Sequence, residues 1–377
     1  MKIILAFDSF KNCLSSPEIC RILKQSMLET DPACEIVSMP LGDGGEGTAR
    51  AIAGASGGIM HKRTVHGPLF TPVEAEWGAL PDGSAVFEMA SASGIELISR
   101  SERDPMRTTT YGTGELIRYL VCEKKIRRIF IGIGGSATVD GGIGMLQALG
   151  AQFYDFNGAA LPIPARGEDI SRLARIDLAG LLPELRECSI CIASDVTNPL
   201  CGENGAARVF APQKGADAAT VELLEKNLFN FGSCAVAAGI AGDFDSPGDG
   251  AAGGVGFALR AFLGAESRSG ADLVLDLLAF DDALKGADLV LTGEGCSDFQ
   301  TAHGKLCKIV SDRARRAGVP VFLLSGALGE RAVELDAFFD GVLALSSKPC
   351  LLDEALAATP ENLVRMGKAI LKLAKLR

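Results

Sequence analysis

The feature that most constrains this 377-residue chain is a repeated arrangement: a short apolar run that stops at a loop carrying a carboxylate together with glycines, or with a hydroxyl or amine. Residues 2–7 run into Asp8-Ser9-Phe10-Lys11. Residues 35–39 lead to Gly42-Asp43-Gly44-Gly45-Glu46-Gly47-Thr48, and residues 128–133 to a glycine-rich stretch that lasts to Gly142. Residues 188–194 run into Asp195-Val196-Thr197-Asn198-Pro199, and residues 288–292 into Gly293-Glu294-Gly295. Such runs suit strands buried on both faces, as in a parallel sheet covered by helices. In open sheets of that kind ligands sit outside the carboxyl ends of the strands. One such loop is an ordinary turn; five in one chain point to a ligand site.

The elements between these loops fill in the fold. Ser15 or Ser16 caps a helix, with Pro17 in its first turn, Glu18 placed to close a capping box on Ser15, and Ile19, Ile22, Leu23 and Met27 at helical spacing. With its flanking strands this is a βαβ unit. Residues 61–65, 73–77 and 85–89 are short, partly alternating and separated by Gly-Pro and Pro-Asp-Gly turns, which reads as hairpins. Helices are expected at 116–121 and 142–149, and a long loop at 195–215. Regular alternation then returns: strand 288–292, helix 305–317, strand 319–324, a short helix near 330–337, strand 341–345 and a helix from Asp353. The chain is too long for one compact core. The expectation is an α/β protein in which residues 1–48 plus 285–377 form one domain and residues 49–284 an inserted α/β domain.

Composition narrows the function. A net charge of −10 makes the chain a poor partner for nucleic acid or an anionic membrane surface. The one basic cluster, Lys124, Lys125, Arg127 and Arg128, reads as cations at the end of a helix. Eleven cysteines, an odd number scattered through apolar segments, suggest reduced thiols and a cytoplasmic location. Cys188 and Cys191 form a C-x-x-C inside a strand-like run and read as core residues; His61, His66 and His303 show no metal-ligand spacing. No segment reaches the ~18 consecutive apolar residues of a membrane span.

Phosphoryl transfer asks for what the loops contain. Backbone N–H groups exposed by glycines cradle phosphates, best at a helix N-terminus. Magnesium takes one or two carboxylates, lysines offset charge on the transferring group, and a carboxylate accepts the substrate hydroxyl proton. The loop at 132–142, with Gly134, Gly135, Ser136, Thr138 and Asp140, is the best phosphate candidate because it follows a strand and opens a helix. A second candidate anion site is Arg103-Asp104-Pro105 with Thr108–Thr110 and Gly112-Thr113-Gly114-Glu115; Ala211-Pro212-Gln213-Lys214-Gly215 places a lysine in a turn. No Walker A or protein-kinase motif set is present. A rival is a nicotinamide-dependent oxidoreductase, since Gly132-x-Gly134-x-x-Ala137 fits the dinucleotide fingerprint and Asp155 follows at about the spacing ribose binding needs.

Taken in order, Asp8-Ser9-Phe10-Lys11, Asp43-Gly44-Gly45-Glu46-Gly47-Thr48, residues 132–142, Asp195-Val196-Thr197-Asn198-Pro199, Pro212-Gln213-Lys214-Gly215 and Gly293-Glu294-Gly295 resemble the motifs of bacterial type I glycerate kinases, and the match runs the length of the chain. The resemblance implies ATP, Mg2+ and D-glycerate as ligands and a phosphoglycerate product (commonly 2-phosphoglycerate, with 3-phosphoglycerate the other regiochemistry); the acidic charge argues against a membrane or nucleic-acid partner, and the sequence leaves a homo-oligomer open. The resemblance also implies two α/β domains, one a Rossmann- or flavodoxin-like parallel sheet built from both chain ends, the other a mixed-sheet domain inserted into it, with the active site between them. Two departures stand out: Phe7 where relatives usually have proline before Asp-Ser, and Cys296-Ser297 where they often carry a basic residue after Gly-Glu-Gly. On this reading Asp195 is the first choice for magnesium ligand or general base and Asp43 the second. Lys11 and Lys214 meet the γ-phosphate or the glycerate carboxylate, Glu294 binds metal or a ribose, and Lys305 binds phosphate, with Asp8, Ser9, Gly44, Gly45, Glu46, Thr113, Asn198 and His303 completing the binding loops.

Overall fold

A computed structural model describes residues 1–42, 47–302, 306–346 and 348–375. The expected site residues Asp43, Gly44, Gly45, Glu46, His303 and Lys305 lie outside the described residues. The chain separates into two compact units, one formed by Met1–Asp43, Gly54–Ser56 and Ala271–Arg377, the other by Gly44–Ala53 and Gly57–Gly270. Among the described residues no helix is long and apolar enough to cross a membrane.

The unit built from both chain ends holds a five-stranded, all-parallel sheet. From one edge its strands are Glu35–Ser38, Lys2–Phe7, Leu289–Gly293, Val321–Ser325 and Gly341–Ala344. Counted within the unit this is the order 2-1-3-4-5 of flavodoxin-like sheets, whose strand order reverses between the first and third strands. The apolar run of Lys2–Phe7 follows from burial on both faces: Ile3, Ile4, Leu5, Ala6 and Phe7 are all fully buried. On one face Ile3, Leu5 and Phe7 join Ile19, Leu23 and Met27 of the helix Ser16–Thr30 and Leu363, Ile370 and Leu371 of the helix Leu352–Ala374. Each such side chain contributes roughly 1.5–3 kcal/mol. The first helix begins as its sequence dictates: the Glu18 carboxylate accepts from the Ser15 N–H at 3.0 Å and from the Ser15 hydroxyl at 2.6 Å, with Pro17 in the first turn.

The other unit holds a six-stranded mixed sheet ordered Glu266–Arg268, Ser189–Ala193, Arg128–Gly132, Ala85–Glu88, Pro72–Ala79 and Ile59–His66. The first four strands are parallel and the last two antiparallel. Residues 85–88 are therefore more than a hairpin strand: they pair antiparallel with Pro72–Ala79 and parallel with Arg128–Gly132, joining the two halves of the sheet. The expected helix at 116–121 is Tyr111–Arg118 continued by a π-helical turn, Tyr119–Glu123. The expected loop at 195–215 is not uniformly irregular. It contains the helix Ala206–Phe210 and a 3-10 turn, Pro212–Lys214. The longest helix here, Ala218–Ala237, is capped by Asp217, which accepts from the Thr220 N–H at 2.8 Å, and it buries Val221, Leu224, Leu228, Phe231 and Ala235 along one stripe.

Candidate active site

In the end-built unit the point where strand order reverses lies between Lys2–Phe7 and Leu289–Gly293, and the loops leaving those strands are Asp8–Lys11 and Glu294–Asp298. They touch: the Asp8 N–H donates to the Gly293 carbonyl at 3.0 Å, and a Cβ on Gly295 would stand 3.5 Å from the Lys11 nitrogen. The Asp8 carboxylate accepts from the Ser9 N–H at 2.7 Å, and Lys11 is exposed. Glu294 is half-buried and oriented through one oxygen: Oε1 accepts from the Ser297 hydroxyl at 3.0 Å and from the Thr301 hydroxyl at 2.6 Å. Ser297 is in turn 2.5 Å from the Ser325 hydroxyl, at the end of the neighbouring strand. Oε2 has no hydrogen-bond donor among the described residues. Magnesium in phosphoryl transfer takes one or two carboxylates and leaves the rest of its shell to phosphates and water. A pre-oriented carboxylate with one oxygen uncommitted fits that demand. Among the described residues there is no cluster of three or more metal-ligating side chains.

In the inserted unit the carboxyl ends of the four parallel strands carry Met89–Gly94, the loop from Ile133 to Gly142, Ser194–Asn198 and Ser269–Gly270. The loop at 133–142 is held from three sides. The Ile95 N–H donates to the Gly135 carbonyl and the Ala137 N–H to the Ser93 carbonyl, both at 2.9 Å. The Thr108 hydroxyl donates to the Ala137 carbonyl at 3.1 Å. Asp140, fully buried, gathers the Thr110 N–H and hydroxyl at 2.8 Å each and the Gly142 N–H at 3.1 Å. Burial pushes its carboxyl pKa above the usual carboxylate range, while the Thr110, Gly142 and Gly144 hydrogen bonds pull the other way. Gly142 caps the helix Ile143–Ala148 at φ +80°, and a Cβ there would come within 2.6 Å of the Ala258 Cβ, so only glycine fits.

Lys214 reaches into this loop. Its 3-10 turn ends at Gly215, whose φ is +100° and where a side chain would overlap the Arg103 carbonyl. The Lys214 side chain is buried, and its Nζ donates to the Ser136 hydroxyl and to the Thr138 carbonyl, each at 2.7 Å. Burial lowers its pKa to about 7, against attraction from Asp140 that raises it. The Thr138 hydroxyl is buried with no partner. A buried lysine, a hydroxyl and glycine backbone in one place are a donor set of the kind that suits an anion.

The structure thus brings together Gly134, Gly135, Ser136, Thr138, Asp140 and Lys214, and separately Asp8, Ser9, Lys11 and Glu294. Asp195 is exposed at the end of its strand, and its carboxylate accepts from the Gly270 N–H at 3.3 Å. Asn198 closes its own loop, donating to the Asn204 carbonyl at 2.8 Å. Thr113 is buried, its hydroxyl 2.8 Å from that of Ser93. Sequence reasoning missed Glu88, which ends a parallel strand and accepts from the Gly47 N–H at 3.2 Å and the Ala49 N–H at 2.8 Å at the start of the helix Thr48–Ser56. The rule of a carboxylate at a strand end would have found it had residues 85–89 not been read as a hairpin strand.

The dinucleotide reading fails on topology. Residues 133–142 remain a loop where that fingerprint needs a helix, which starts only at Ile143. Asp155 lies in a separate two-stranded sheet, accepting from the Asn157 N–H at 2.8 Å and the Ala159 N–H at 2.9 Å within the turn that follows its strand.

Fold and loops define a two-unit α/β protein with glycine- and carboxylate-bearing turns at the carboxyl edges of its sheets. The crystal structure named for glycerate kinase 2 of Salmonella typhimurium LT2 has the same fold, with a TM-score of 0.90 over 100% of this chain and 98% of that one, at 40% identity. The chain is 42% identical to glycerate 2-kinase of Escherichia coli K12 over 98% of its own length and 97% of that protein's. It is 40% identical to glycerate kinase of Bacillus subtilis 168 over 100% and 99%. Residues 3–375 match the model of the glycerate kinase family. The chain belongs to the glycerate kinase family and is an enzyme of that kind.

Proposed function

We propose that the enzyme transfers the γ-phosphoryl group of ATP to the 2-hydroxyl of D-glycerate, giving 2-phosphoglycerate and ADP. The observation that carries this reading is Lys214, a buried lysine whose amine is bonded to Ser136 and Thr138 of the glycine loop. A buried, otherwise costly amine beside exposed backbone suits a phosphoryl group better than a structural role.

In the reaction the substrate hydroxyl loses its proton to a carboxylate as its oxygen bonds phosphorus, and the bond from phosphorus to the ADP oxygen breaks in line. Asp195 is proposed as the general base or a magnesium ligand, being exposed at a strand end, and Asp43 as the second carboxylate. Glu294 would hold Mg2+ through its uncommitted oxygen or else meet the ribose. The ion would screen phosphate charge when bound. Lys214 and Lys11 supply charge toward the transferring group or the substrate carboxylate. Asp8, Ser9, Gly134, Gly135, Ser136 and Thr138 are proposed to bind nucleotide or substrate, and Asp140 to fix the loop that does so. All eleven cysteines are unpaired, in keeping with a reducing cytoplasmic location.

Phosphorus NMR of the product from ATP and D-glycerate tests the proposal directly. A 2-phosphoglycerate resonance with stoichiometric ADP supports it. A 3-phosphoglycerate resonance refutes the regiochemistry, and no ADP above the rate without enzyme refutes the reaction.

A further inference from the structure

Arg103 lies at the edge of the lysine-and-glycine loop cluster and is not accounted for by the fold. Its backbone carbonyl packs where Gly215 lacks a side chain, directly after Lys214. The segment that follows it is tied to the glycine loop through Thr108 to Ala137 and Thr110 to Asp140. Its guanidinium reaches Glu96 at 3.5 Å, and Glu96 follows Ile95, whose N–H holds the Gly135 carbonyl. The Arg103 side chain therefore runs from the Lys214 turn to the flank of Gly135.

What it does there is half-finished. The side chain is only 19% exposed, yet its Nε is buried without a hydrogen-bond partner. Among the described residues its one ion-pair partner is Glu96, itself 79% exposed. A pair that long and that wet contributes little. A guanidinium offers five N–H donors in a rigid planar fork. A buried donor left unmade costs about 1–3 kcal/mol and calls for an explanation, and here it belongs to a guanidinium beside the glycine loop. The fork matches a carboxylate's two oxygens, whereas a lysine serves a phosphate as a point charge. With Lys214 already at the glycine loop, the two cations divide the work by shape.

We propose that Arg103 binds the carboxylate of the hydroxy-acid substrate, displacing Glu96, and so selects an acid over a neutral polyol. This rests on the glycerate kinase reading and names the residue that recognises its acid end. The test is steady-state kinetics of the full-length enzyme carrying Arg103→Ala, Arg103→Lys or Glu96→Gln, varying D-glycerate and ATP separately. Loss of charge-assisted hydrogen bonds should raise KM for D-glycerate on the order of 10- to 100-fold in Arg103→Ala. KM for ATP should stay near its wild-type value. Arg103→Lys should recover only part of the loss, because one point charge replaces a fork, and added guanidinium ion should restore glycerate turnover in Arg103→Ala. Glu96→Gln should leave KM for glycerate unchanged or lower it. An unchanged glycerate KM in Arg103→Ala, or a rise for ATP as large as that for glycerate, overturns the assignment while leaving the kinase reading intact. A wild-type enzyme inert toward D-glycerate would overturn both. If Arg103→Ala does not fold, Arg103→Lys decides: wild-type glycerate KM in that variant refutes the fork.

Discussion

Replacing Lys214 by methionine keeps most of the side chain's volume and removes its charge, and the outcome is set by the cost of burial. An amine whose pKa is about 7 when folded and 10.5 when exposed spends about 5 kcal/mol on carrying its charge into the fold, at about 1.36 kcal/mol per pH unit. The unfolded chain keeps this proton up to pH 10.5, the folded chain only to about 7. Between those values unfolding takes up a proton, so the wild-type protein gains stability as pH rises. Below pH 7 both states are charged and the cost is complete. Lys214→Met escapes this cost at every pH but strands the Ser136 hydroxyl and the Thr138 carbonyl, a loss of about 2–4 kcal/mol for the two. The variant should therefore be the more stable protein at pH 6 and the less stable at pH 9, the difference moving by about 3 kcal/mol between them. Trp77 is the single tryptophan, buried in the inserted unit, so its fluorescence during urea unfolding reports that unit. Turnover should fall on the order of 100- to 1,000-fold at either pH. Parallel pH profiles for the two proteins would refute the burial argument, and near-normal turnover would remove Lys214 from the site.

Other outcomes follow from single contacts. Asp195→Asn should reduce kcat steeply with an unchanged unfolding curve; near-normal kcat would remove Asp195 from the mechanism. Glu294→Gln should raise the magnesium concentration giving half-maximal rate, and an unchanged magnesium titration would leave Glu294 to the ribose. Gly142→Ala should destabilise the inserted unit by about 2–4 kcal/mol, because it adds left-handed strain to an overlap with Ala258; Trp77-detected denaturation measures it.

The parallel sheet was legible because its strands are buried on both faces, which leaves uninterrupted apolar runs at 3–7 and 289–291 with carboxylates just beyond the strand ends at Asp8 and Glu294. The first helix was legible from Ser15, Pro17 and Glu18, since a capping box is a local device. Lys214 was not. In a Pro-Gln-Lys-Gly turn a lysine reads as solvated, and what buries it lies 78 residues away at Ser136. The turns around it, Ala206–Phe210 and Pro212–Lys214, are too short to show a period. Residues 85–88 looked like a hairpin strand because their partner on the other side, Arg128–Gly132, arrives only after a crossover of some forty residues. Local chemistry announces itself in sequence; a side chain whose role depends on distant partners does not.

That nonlocal placement also bears on how the proposed site works. In a P-loop the lysine belongs to the glycine loop itself. Here it arrives from a separate turn and lies buried against Ser136 and Thr138. With burial holding its pKa at about 7, the amine titrates near neutral pH in the folded chain. An anion entering beside it favours the charged form, because opposite charges in a poorly hydrated place attract strongly and add to the attraction from Asp140 against the cost of burial. Binding should therefore draw a proton from solution, and affinity should decline as pH rises above 7. Calorimetric titration of nucleotide at pH 8 in two buffers of different ionisation enthalpy measures this. The heats should differ by the uptake of nearly one proton in the wild type and by much less in Lys214→Met. Equal dependence on buffer in both proteins would mean that Lys214 keeps one protonation state throughout and that the charge on the phosphates is met elsewhere.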